Sequence, residues 1–226
     1  MRIKYLFICL AMAFVSCASA DERKGYNLKG EVKSSLIQLY DAAEINGEWV
    51  KGKMLLLGHN RITFDEKGVY QGLEKYDSDM DFTEKFVPIR ENGKLVEERN
   101  YARYGILYTY TEYTYITKNK VTFETFDADD RFLNAGEIIR KNGKIISQSV
   151  ASMSFGFKGK AQISLYEYDK NDYLILIKET NDKGEIKTYL RYENLEFDAK
   201  GNWTKRLVFT EEKEPEHIEI REIEYF

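Results

Sequence analysis

The chain has 226 residues, 14% of them aromatic, with 34 basic and 38 acidic residues for a net charge of −4. An acidic balance without any basic block gives no electrostatic reason to bind nucleic acid or an anionic membrane surface. Two cysteines, Cys9 and Cys17, and two histidines, His59 and His217, exclude a disulfide scaffold and leave too few ligands for a Cys/His metal centre.

Residues 1–20 read as an export signal. Arg2 and Lys4 precede an apolar core from Tyr5 to Val15, too short for a permanent span, and a small-residue exit, Ser16-Cys17-Ala18-Ser19-Ala20. Two processing routes fit. Ala18-Ser19-Ala20 suits ordinary cleavage before Asp21. Phe14-Val15-Ser16-Cys17 resembles a bacterial lipobox, with Phe14 where Leu is usual, and would make Cys17 the lipidated N-terminus. Both cysteines belong to the leader, so neither route leaves a free thiol in the mature domain. Losing Arg2 and Lys4 takes the basic count to 32 and the net charge to −6. No later segment is apolar enough to cross a membrane, and mean hydropathy is −0.53. The expected location is the periplasm, free or lipid-anchored to the envelope.

Residues 21–30 read as a flexible lead-in and 31–226 as one domain of β-hairpins. Seventeen tyrosines and thirteen phenylalanines, with only Pro88 and Pro215 to interrupt pairing, favour sheet. Extended runs are predicted at 31–45, 49–57, 61–64, 69–76, 82–90 and 94–101. They continue at 106–117, 121–126, 131–140, 144–153, 161–168, 173–180, 185–197, 202–210 and 218–226. Asn46-Gly47, Asn92-Gly93 and Asn142-Gly143 signal two-residue hairpin turns. Over 106–117 the residues Thr109, Thr111, Tyr113 and Tyr115 share one face and Tyr108, Tyr110, Thr114 and Ile116 the other. Neither face is cleanly polar, so this strand packs on both sides or lies in a strongly curved sheet. No helical stripe appears. Hairpin-length connections predict an antiparallel meander of roughly a dozen strands, curved or rolled; the alternative is a closed barrel or sandwich.

One unit recurs. Phe197-Asp198-Ala199-Lys200-Gly201-Asn202-Trp203 has looser copies at Phe64–Gly68, Phe126–Asp130, Tyr168–Asp172 and Thr180–Gly184. These resemble YD repeats, the short hairpin units of bacterial RHS-type exported proteins. Asn92-Gly93-Lys94-Leu95 and Asn142-Gly143-Lys144-Ile145 resemble MORN-like units. The resemblance implies a scaffold of stacked hairpins in a small exported bacterial protein and carries no functional residue with it.

The search for chemistry is short. Neither histidine has a second ligand at metal spacing. Asp77-Ser78-Asp79-Met80-Asp81 begins like a calcium loop but has Phe82 and Pro88 where glycine and a bidentate glutamate are needed. No nucleophile elbow, phosphate loop or dinucleotide fingerprint occurs. The chain ends on Phe226, yet Glu222 and Glu224 on that row do not suit a lipid-facing strand. Trp49 and Trp203 are the candidates for a stacking platform. No catalytic residue, metal site or cofactor is expected. The expected function is a non-enzymatic binding or structural module of the envelope with a protein or glycan partner. The alternative is a carbohydrate-binding protein or carbohydrate-active enzyme, which needs exposed coplanar aromatics beside a carboxylate pair.

Overall fold

A computed structural model describes residues 21–154, 157–210 and 214–226. The leader, with the Cys17 processing question, lies outside them. The described residues form sixteen strands: β1 (Val32–Ile45), β2 (Glu48–Met54), β3 (His59–Phe64), β4 (Tyr70–Tyr76), β5 (Phe82–Glu91), β6 (Lys94–Ala102), β7 (Leu107–Thr117) and β8 (Lys120–Asp127). They continue with β9 (Phe132–Lys141), β10 (Lys144–Ser154), β11 (Phe157–Lys158), β12 (Gln162–Tyr168), β13 (Leu174–Thr180), β14 (Ile186–Phe197), β15 (Trp203–Phe209) and β16 (His217–Tyr225).

The sheet closes on itself. Successive strands pair antiparallel from β3 to β10 and from β12 to β16. β10 pairs β12, and β1 joins β3 on one side and β16 on the other, from Val32↔Tyr225 to Asp41↔His217. Fourteen strands make the ring, while β2 and β11 hang on β1 and β10. The meander is therefore a closed barrel. An open or rolled sheet is ruled out because the first and last strands satisfy each other's backbone groups.

Two turn chemistries set the register. Asn46-Gly47, Asn92-Gly93 and Asn142-Gly143 all take positive φ at both positions, which a two-residue hairpin requires. The recurring aspartate unit is a different device. The Asp198 Oδ1 atom accepts from the backbone N–H groups of Lys200 and Asn202, the Gly201 N–H donates to the Asp198 carbonyl, and Gly201 sits at φ 80°. The same side-chain acceptor pattern occurs at Asp127, Asp169 and Asn181, with Asp65 making the bond four residues on. Asp77 makes it too, with Met80 at φ 61°. The acidic stretch that begins like a calcium loop is thus a sixth such turn, concealed by a methionine at the left-handed position.

Directly paired residues share a face. The row Tyr113–Phe123–Gly136–Val150 points inward. With Leu95, Val121, Ile138, Ile145, Tyr166 and Ile177 it forms the main core. The outer wall carries cross-strand ion pairs such as Lys33–Glu224 at 2.6 Å and Lys85–Glu74 at 3.5 Å. Each contributes at most about 1 kcal/mol, but their presence distinguishes this wall from a lipid-facing belt.

The chain enters and leaves at the same end of the barrel. That end carries the turns after β3, β5, β7, β9, β12 and β14. Residues 21–30, expected as a flexible lead-in, instead close it. Glu22–Tyr26 forms a 3₁₀ turn capped by Asp21, and Glu22 and Arg23 are buried. The Tyr26 ring meets Phe64 at 5.4 Å and Tyr70 at 5.8 Å. A round ring of fourteen strands would leave a lumen; here side chains and this plug fill the end where the chain enters.

Asn202 holds the plug in place. It is fully buried, accepts from Lys29 N–H at 2.7 Å and donates to the Lys29 carbonyl at 2.9 Å and to the Tyr225 hydroxyl at 2.7 Å. It thereby pairs with a peptide unit 173 residues away as a neighbouring strand would. Asn202→Ala is expected to destabilise the fold by about 3 kcal/mol, because both groups of that peptide lose their partner. Urea unfolding measures it; a loss below about 1 kcal/mol would show that water replaces the amide.

Candidate functional site

The outer wall over β7, β8, β9 and β10 holds a depression of about 600 Å3. Its floor is made of small residues, Ala135, Gly136, Ser149 and Ala151. Gly136, on the inward row, lets the Phe123 ring lie close beneath that floor. A Cβ there would lie 2.0 Å from the Ser149 carbonyl oxygen and 2.5 Å from the Phe123 ring, which passes beneath it.

Pairing builds the walls. Glu112 lies opposite Glu124, Thr114 opposite Thr122, and Thr122 opposite Glu137. Direct cross-strand partners have Cβ atoms about 5 Å apart, so Glu112 and Glu124 form an exposed carboxylate pair. Glu137 is neutralised by Lys120 at 2.5 Å. Glu97 extends the acidic row beyond Glu112.

Aromatics continue the same faces. Tyr110 and Phe126, two residues along from the glutamates, stack at 5.2 Å and 21°, and Phe132 meets Phe126 edge-on at 5.9 Å. Tyr108 beside them is 60% exposed. A hydrogen bond from the Tyr110 hydroxyl to Asp130 at 2.7 Å fixes the ladder and pushes that hydroxyl up to about 12. The rings stack on one another instead of lying coplanar, so they offer edges and one outer face. The whole surface can take hydroxyl and ammonium donors on the carboxylates and apolar C–H groups on the rings.

The residues singled out from sequence lie elsewhere. Trp203 is 2% exposed, with the guanidinium groups of Arg206 and Arg221 over its ring at 4.0 and 4.3 Å. Trp49 is half-buried against Leu207, Phe209 and Ile218. Packing has taken up both tryptophans, so neither forms a platform. His59 is fully buried, its Nδ1 accepting from Leu39 N–H at 3.1 Å and its Nε2 donating to the Leu55 carbonyl at 2.7 Å. It bridges two backbone segments. His217 contacts Glu219 at 3.5 Å. Among the described residues no group of three or more His, Cys, Asp or Glu is arranged to hold a metal.

A second group of ionisable residues lies inside the barrel. Glu98 is buried and accepts from the Tyr70 hydroxyl at 2.9 Å. Burial pushes its carboxyl up to about 7 against the pull of Tyr70, Arg90 and Lys75. On the far side Glu219 pairs with Arg206 at 2.6 Å. Burial alone would raise Glu219, but Arg206 and His217 hold it down at about 2. These groups tie neighbouring strands together, Tyr70 on β4 to Glu98 on β6 and Arg206 on β15 to Glu219 on β16.

No family model matches the chain, and no curated protein matches it. Among solved structures, a protein of unknown function from Bacteroides fragilis NCTC 9343 is 21% identical over 46% of this chain and 86% of its own, with a TM-score of 0.32. A porin-like protein from Bacteroides uniformis ATCC 8492 is 9% identical over 87% of this chain and 99% of its own, with a TM-score of 0.43. The Photorhabdus luminescens Tc holotoxin pore is 14% identical over 76% of this chain and 11% of its own, with a TM-score of 0.18. These values are too low to carry an argument.

Proposed function

We propose that the protein is an exported, non-enzymatic binding module of the bacterial envelope that takes a neutral or amino-sugar glycan on the outer wall of β7 to β10. The observation behind this reading is the Tyr110–Phe126–Phe132 ladder running into the Glu112–Glu124 pair at the lip of the depression. Sugars present apolar C–H faces and ring hydroxyls together, and this surface offers a partner for each. Its carboxylates repel anionic polymers. Hairpin units like YD repeats would supply the rigid support.

A carbohydrate-active enzyme is the second reading, since retaining catalysis uses carboxyls about 5 Å apart. It is disfavoured because Glu112 and Glu124 both stand in solvent, away from the apolar pocket that a proton-donating glutamate requires. Aryl glycosides should therefore release no phenol.

A glycan array probed with the exported protein tests the main reading. Binding is expected to a neutral or amino-sugar class. Glu112→Gln with Glu124→Gln, or Tyr108→Ala, should weaken it at least about tenfold with the far-UV spectrum unchanged. An array without any neutral or amino-sugar signal, or binding indifferent to the double variant, would sink the proposal.

A further inference from the structure

The net charge of −4 conceals a segregation that only the barrel reveals. Successive turns alternate between the two ends, and their charges alternate with them. The plug end presents Lys24, Lys67, Lys118, Lys141, Lys170 and Lys200, all exposed and none in an ion pair among the described residues. Against them stand the exposed Glu31, Glu66 and Glu91, Asp172 paired with Lys144, and turn aspartates bound by backbone N–H groups. The opposite end presents Asp79, Asp81, Asp129, Asp130, Asp182 and Glu185. Arg103, Arg131, Lys160, Lys183 and Lys187 partly offset those.

Apolar side chains accompany the lysines. Ile116 is 54% exposed, Phe197 47% and Phe226 50%, each at the plug end of its strand; apolar side chains protrude further at the opposite end, Tyr104 at 88%, Ile106 at 64% and Ile186 at 58%, so the lysines set the plug end apart. Lysines interspersed with protruding apolar groups are the chemistry of a surface that settles into a headgroup layer. The chain also enters the barrel at this end, at Asp21.

We infer that the plug end is a docking face for an anionic lipid surface, holding the barrel upright with its acidic end and outer wall directed into the aqueous space. Exported Cys17→Ser protein, which cannot be acylated, tests this by co-sedimentation with phosphatidylcholine vesicles with and without phosphatidylglycerol. Binding is expected only with phosphatidylglycerol, and high salt should release it. Each lysine reversed among Lys67, Lys118, Lys141 and Lys170 should weaken it about fivefold. Phe197→Ser should weaken it further, whereas Lys160→Glu with Lys183→Glu at the other end should not. All variants should keep the parent far-UV spectrum, since these side chains are exposed. Equal binding to both vesicle types, no binding to anionic vesicles at low salt, or insensitivity to the four reversals would overturn the inference.

Discussion

Glu22→Ala is expected to cost about 4 kcal/mol of stability, a large effect for a residue of the short segment ahead of β1. Its side chain is 2% exposed, accepts from Arg90 at 2.8 Å and from the Tyr70 N–H at 2.7 Å, and its own N–H donates to the Gly68 carbonyl. Removing the carboxylate leaves a largely buried guanidinium, whose Nε already has no partner, beside an unsatisfied peptide N–H. A buried charge without its counter-ion is among the most costly defects a fold can carry. Glu22→Gln keeps one acceptor and should cost roughly half as much. Urea unfolding followed by tyrosine fluorescence reads both. A loss below about 1 kcal/mol for the alanine variant would show that the barrel stands without its plug.

Stability is also expected to fall by about 3 kcal/mol between pH 4.5 and pH 8 on account of Glu98 alone. Its folded value of about 7 lies above its ordinary value of 4.5. The protonated side chain is therefore favoured by folding. Its contribution is complete below pH 4.5 and is lost as the pH rises through 7, where the barrel must hold an ionised carboxylate out of water. Glu98→Gln should flatten this slope and gain stability at pH 8. Glu219 works in the other direction. Held at about 2, it contributes above pH 4.5 and loses that contribution as the pH falls through 2. Together the two groups place the optimum in mildly acidic solution. Thermal unfolding across this range checks it; a Glu98→Gln variant with the parent slope would refute the assignment.

The strands and their turns were legible because local chemistry dictates them. Asn-Gly pairs and Asp-x-x-Gly units adopt their turns whatever surrounds them. Closure was not legible. The pairing of Ser35 with Ile223 depends on the accumulated twist and stagger of twelve intervening strands, which no local pattern records. The plug was missed because Asp21-Glu22-Arg23-Lys24 reads as a solvated charge run. Its burial depends on Arg90 and Gly68 arriving from later in the chain. The ambiguous faces of 106–117 have the same origin. The inner face carries Thr109 and Thr111 toward one end and Tyr113 and Tyr115 toward the plug, while the outer face mixes Tyr108, Tyr110 and Ile116 with Glu112. The outer-wall site could have been suspected from Tyr110-Thr111-Glu112 and Glu124-Thr125-Phe126, two alternating segments that match when placed antiparallel. The tryptophans drew attention instead because they are large, and large side chains are more often packed than presented.

The seam between β1 and β16 has a consequence for the order of events in the cell. The strand synthesised first cannot complete its pairing until the strand synthesised last has emerged, and Phe226 itself donates its N–H to the Glu31 carbonyl at 3.0 Å. A nascent chain thus cannot close its barrel until residues 217–226 are available. Closure is built into residues 217–226, and a product truncated ahead of them would be left with an open edge for proteases to find.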